Sequence, residues 1–118
     1  MGLRGRAERS TNERLERESA RLRHRFEHFD ATPIGSVTCR QKARLVGEVR
    51  RVGVTPRSGV PSLEIVLSDG TADAVAVFTG RRSIGGIENG RAIVLEGVPR
   101  EEHGRKVMLN PTYTLLAG

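Results

Sequence analysis

VPSLEIVLSDGTADAVAVFT, residues 60–79, is a pair of alternating apolar runs hinged on Asp69-Gly70. Asp-Gly between such runs is a strong signal for a tight antiparallel hairpin. A two-residue loop pairs Ser68 with Thr71, and the ladder follows: Leu67 faces Ala72, Ile65 faces Ala74 and Leu63 faces Ala76. Large residues then oppose small ones, as the interior of a narrow barrel requires. Phe78 continues the inward row, while Glu64, Val66, Asp73, Val75 and Val77 form the outward one. A longer loop flips the register and turns Phe78 into an exposed platform.

Three more β segments flank this pair: ARLVGEVRRVGV (43–54), RAIVLEGV (91–98) and KVMLNPTYTLL (106–116). GRRSIGGIENG (80–90) leaves room for a single helical turn. In the first segment Leu45 and Val49 share a face, while Val46, Val52 and Val54 take the other. A bulge or coil near Gly47–Arg51 resolves the conflict, as expected where one strand serves both halves of a barrel. Five strands with an insertion after the third make a mainly β chain, a five-stranded oligonucleotide-binding (OB) Greek-key barrel. Such barrels commonly bind single-stranded nucleic acid.

The N-terminal third has another character. Residues 1–9 read as a flexible basic tail, 10–32 as an N-terminal α-helix and linker, and 33–118 as the OB domain. Ser10-Thr11-Asn12-Glu13 has capping-box spacing for a helix start. Leu15, Leu22, Phe26 and Phe29 form one narrow stripe, and Pro33 follows the helix end. The stripe is expected to cover an open end of the barrel, or else to dock a protein partner.

With 118 residues the chain holds one domain, and a formal charge of +6 favours acidic partners, nucleic acid first. Its 18 arginines against 2 lysines suit bidentate phosphate contacts, although a GC-rich genome produces the same skew. One cysteine, Cys39, forms no internal disulfide and points to a reducing cytoplasm. The N-terminus is too charged for a signal peptide, and no run of about 18 apolar residues is present to span a membrane.

His24-Arg25-Phe26-Glu27-His28 matches the inverted zinc-peptidase pattern H-x-x-E-H. A catalytic zinc needs a third ligand, and the other histidine, His103, lies in a distant loop. The match reads as chance in a charged helix. The glycines at 80, 85, 86 and 90 lack the Gly-Lys-Ser/Thr of a phosphate loop. Neither catalytic residues, metal nor cofactor is expected. Phosphate contacts are expected instead from Arg57 in the first inter-strand loop, from Arg81 and Arg82 after strand three, and from Arg105 and Lys106 beside the last loop. Arg50 and Tyr113 are secondary candidates.

The motifs PIGSV, the run RLVGEVRRVGVTPRSGVPSLEIVLSDGTADAVAVFTGRRSIGGIENGRAIVLEGV, and the Asn110-Pro111-Thr112-Tyr113 ending resemble small actinobacterial proteins with an OB-type nucleic-acid-binding domain. The resemblance covers about residues 33–116. More distantly, the chain is similar to the wedge domains of branch-migrating helicases and the anticodon-binding OB modules of synthetases. It implies non-catalytic nucleic-acid binding, with single-stranded or branched DNA ahead of RNA and low sequence specificity. A protein-interaction adaptor using the helix stripe or a sheet edge is the alternative. The sequence leaves the oligomeric state open.

Overall fold

The computed structural model describes residues 3–117, with side chains from Arg9 onward. An N-terminal helix α1 (Leu3–Phe26) precedes a 3-10 turn (Ile34–Ser36) and seven strands. These are β1 (Ala43–Arg57), β2 (Val60–Ser68), β3 (Asp73–Thr79), β4 (Ala92–Gly97), β5 (Arg100–Glu102), β6 (Arg105–Leu109) and β7 (Thr112–Leu115). They form one sheet in the order β5-β6-β3-β2-β1-β4-β7. No helix among the described residues is long and apolar enough to cross a membrane.

The five-stranded closed barrel is therefore corrected to seven strands in an open ladder, and local chemistry explains the extra two. Asn110 has φ 48 and Pro111 has no N–H, so the last expected strand breaks into β6 and β7. β6 runs parallel to β3 while β7 runs antiparallel to β4, so one short chain segment links the two flanks of the curved sheet. His103 (φ 51) and Gly104 (φ 77) make the mirror-image turn that suits a two-residue hairpin, which adds β5. Ser58-Gly59 does the same between β1 and β2.

Asp69-Gly70 does not make that turn. Ser68 pairs with Asp73, leaving a four-residue loop, and Leu67 faces Ala74, Ile65 faces Ala76 and Leu63 faces Phe78. The shift is by two residues, so the faces keep their parity and Phe78 stays in the core. Asp69 is responsible. Its buried carboxylate accepts hydrogen bonds from Ile34 N (2.9 Å), Thr71 N (2.9 Å) and Thr71 Oγ1 (2.6 Å), binding the loop to the 3-10 turn.

The main core gathers Leu45, Val49, Leu63, Ile65, Leu67, Ile93 and Leu95. Ile84 and Ile87 plug it from the 80–90 loop, which forms turns rather than the expected helical turn. β1 carries its bulge between Val49 and Arg51. Gly47 is not the bulge residue; a Cβ there would lie 2.9 Å from the Ser68 carbonyl oxygen.

Helix α1 differs from its expectation in extent and in docking. Ser10 lies inside it, Phe29 lies beyond its end, and it includes most of the segment read as a flexible tail; Met1 and Gly2 fall outside the described residues. Leu22 and Phe26 are 3% and 7% exposed and pack on Val46, Ala92 and Val94, the outer face of β1 and β4 rather than a barrel end. Leu15 is 61% exposed and Phe29 43%. The stripe is thus half buried and half exposed, with the Phe29 ring set edge-on to Phe26.

Candidate nucleic-acid interface

The bulge at Arg50 shifts the alternation of β1 by one residue. Val49 faces the core opposite Leu67, and Arg51 then stands opposite Val66 on the outer face. Continuing by twos, Thr55 and Arg57 follow on that face. Glu64 and Val66 come from β2, Asp73, Val75 and Val77 from β3, and Val107 and Leu109 from β6. β5 adds Arg100 and Glu102 at the margin.

This surface has an apolar floor with a charged cover. Val75, Val77 and Val107 are buried together with Val66 packed beside them. No described helix residue joins this cluster; long side chains that keep their charge in water suit the task of covering it. Arg57 Nη2 donates to both Glu102 carboxylate oxygens at 2.6 Å, and Arg100 pairs with the same carboxylate. Arg105 Nη1 donates to Glu64 Oε1 at 3.1 Å, and Thr55 Oγ1 donates to Glu64 Oε2 at 3.0 Å. The Arg57 hydrogen bond holds the Glu102 carboxyl below the usual carboxylate range against the opposing effect of burial, with Arg100 adding to the lowering. A groove of about 540 Å³ opens beside these pairs, lined by Arg51, Val66, Asp73, Val75, Arg105 and Lys106. Arg51 is exposed and has no ion pair among the described residues.

Of the expected contact residues, the groove brings Arg105 and Lys106 together, and the others are distributed around it. Arg57 and Arg105 do lie on this face. Lys106 belongs to the inward row opposite Ala74, and its Nζ donates to Ile34 O at 2.6 Å. Arg81 and Arg82 are exposed beyond the far end of β3, where Gly80 N donates to Pro61 O. The length of β3 puts them ~20 Å from Asp73. Tyr113 stacks edge-on against Phe78 with ring centroids 5.6 Å apart.

Arg50 serves another surface. Its Nη1 donates to Glu48 Oε2 (2.6 Å) and Glu18 Oε1 (2.8 Å). Glu48 is buried and also accepts from Arg21 Nη2 (3.0 Å) and from Arg25. Burial would raise the Glu48 pKa, but the bonds from Arg21 and Arg50 and the nearby Arg25 outweigh it and hold it low. Glu18, bonded to Arg21 and Arg50, is lowered to about 2. This cluster fastens α1 to β1. The neighbouring His24 and His28 both approach Glu27 Oε1 at 3.3 Å, with His103 in the β5–β6 turn.

Arg51, Glu64 and Glu102 are absent from the phosphate-contact residues expected from sequence. The parity conflict in β1 was a usable signal for Arg51: a bulge at Arg50 alone puts it outside. Ion pairs between the hairpins leave no such mark.

No family model matches the chain, and no curated protein matches it. Among solved structures it is similar to a chain from a structure, with conformational change, of a replication protein A heterotrimer bound to single-stranded DNA. The TM-score is 0.50 at 14% sequence identity, over 65% of this chain. The match spans 58% of the length of that chain. The likeness is one of fold alone, to an OB-like neighbour.

Proposed function

We propose that the chain is a non-catalytic OB module that binds nucleic acid, single-stranded or branched DNA ahead of RNA, with low sequence specificity. One observation supports this most: the outer face of β2 and β3, where OB folds bind their ligands, carries a groove lined by Arg51 and Arg105. Arg57 and Arg100 border the same face, and Arg81-Arg82 extend the basic surface along the strand direction. Guanidinium groups suit bidentate contacts with phosphate. The floor is valine rather than aromatic, so stacking contributes little and binding is electrostatic. The likeness to a chain from a protein bound to single-stranded DNA agrees with this reading.

Titration of labelled single- and double-stranded DNA and RNA at two salt concentrations tests it. Neutralising three or four phosphates of a single strand gives a log–log salt slope of about −2 to −3, a loss of roughly 20- to 50-fold between 50 and 200 mM salt. Failure to bind any oligonucleotide at low salt removes the reading. The exposed Leu15 on the outer half of α1 then favours a protein-interaction adaptor.

A further inference from the structure

The arginines best placed for a phosphate strand are already occupied. Glu102 takes both Arg57 and Arg100, and Glu64 takes Arg105. Both carboxylates rise from the outer face of the sheet, and each is bonded as a phosphate would be, by guanidinium groups and, at Glu64, by the Thr55 hydroxyl. The two pairs also connect separate elements. Arg57 at the β1–β2 turn reaches Glu102 on β5, and Arg105 on β6 reaches Glu64 on β2.

We propose that Glu64 and Glu102 are internal phosphate mimics, which hold the binding face charge-compensated until a nucleic-acid strand displaces them. The inference rests on the nucleic-acid reading above and adds how that site is controlled. A tethered carboxylate competes at an effective concentration in the millimolar range for short connections. A single phosphate competes poorly against that, whereas a strand presenting several phosphates exchanges with both carboxylates together. The displaced glutamates move to solvent, and the three guanidinium groups are transferred without leaving the face. Isolated phosphate is therefore a poor ligand and a polyphosphate strand a good one. Arg51, which has no internal partner among the described residues, is the point of first contact.

The test compares E102Q, E64Q and a charge control, E101Q, in the full chain. Glu101 is exposed on the same strand as Glu102 but on its opposite face, so all three variants change the net charge equally. Binding of a labelled single-stranded DNA is measured at 50 and 200 mM salt, with thermal melts establishing that each variant is folded. E102Q and E64Q should each bind about fivefold tighter than wild type or better, and the salt slope should steepen by about 0.7 for each phosphate newly held. E101Q should change affinity less than twofold. Wild type that binds while E102Q and E64Q give no more gain than E101Q overturns the mimicry and leaves the nucleic-acid reading intact. No binding by wild type or by any variant overturns both, and binding by E102Q and E64Q alone supports both. The two glutamates lie in separate pairs, so a variant that fails to fold leaves the other as an independent measurement.

Discussion

The sheet has two apolar outer surfaces, and they are covered in different ways. Over β1 and β4, Val46, Ala92 and Val94 receive Leu22 and Phe26 of α1, and a buried Glu48 binds three arginines at the margin. Over β2, β3 and β6, no described helix residue joins the cluster of Val75, Val77 and Val107, and Arg–Glu pairs stand on that face. The first cover excludes water with apolar side chains, and separating it exposes hydrocarbon. The second consists of ion pairs that are part-buried at Arg57–Glu102 and more exposed at Arg105–Glu64, and exposed pairs typically contribute only about 0–1 kcal/mol each. One cover is built of hydrocarbon and the other of charge.

The greatest strain on this contrast comes from removing the helix anchor. Phe26→Ala should lower stability by about 3 kcal/mol or less, since a ring at a helix–sheet seam is less enclosed than one at a core centre. A chemical melt measures it, and an unchanged midpoint would put the two covers on the same footing.

Next in size is the charged margin of the helix. Glu48→Gln leaves three arginines without their buried counter-ion, and we expect a loss of about 2 kcal/mol at neutral pH, below the usual range for fully buried pairs because the arginines are partly exposed. Its pH dependence has a definite sign. The folded pKa of Glu48 lies below the ordinary value of 4.5, so its contribution is complete above that value and is lost as pH falls. Glu18, lowered to about 2, extends the same loss down to that pH. Melts between pH 5 and pH 2 should fall more steeply for wild type than for the variant.

A smaller effect, on binding rather than stability, is expected at the far end of β3. Changing Arg81 and Arg82 together to Ala should weaken all oligonucleotides alike and flatten the salt slope by about 1 to 1.4 units. Both side chains are exposed, so the melt should not move. Unchanged affinity and slope would confine the binding surface to the groove around Arg51 and Arg105.

The smallest effect sharpens the reading of α1. Leu15→Ser should change stability by no more than about 0.5 kcal/mol, because the side chain already stands in water. A larger loss in a concentration-dependent melt would show that the outer half of the helix has a partner in solution, a second copy of the chain.

Alternation in β2 and β3 was enough to assign Leu63, Ile65, Leu67, Ala74, Ala76 and Phe78 to the interior, and the parity conflict in β1 was enough to require a bulge. Those are local signals with a period of two. The Asp69 loop was misjudged because its carboxylate is satisfied by Ile34, 35 residues earlier in the chain, and no local rule anticipates that. A helical stripe reports that a face is buried without reporting against what, so α1 was assigned to the wrong surface. The candidate site was the least legible part. Arg57 and Arg105 owe their positions to carboxylates on other strands, and Lys106 lines the groove while its Nζ is held by the Ile34 carbonyl.

Gly70 carries a consequence for the order in which the molecule assembles. A Cβ at this position would collide with the Ser19 carbonyl oxygen and lie within 2.7 Å of the Arg23 backbone nitrogen, so the helix backbone rests directly on the β2–β3 loop. That loop is held by the bonds of Thr71 to Asp69 and is fixed to the 3-10 turn by the bond from Ile34 to the same carboxylate. The helix therefore has no finished seat until the hairpin and the turn have joined. We expect it to dock last and leave first, with its amides exchanging with solvent in a cheaper opening event than those of β1 to β3.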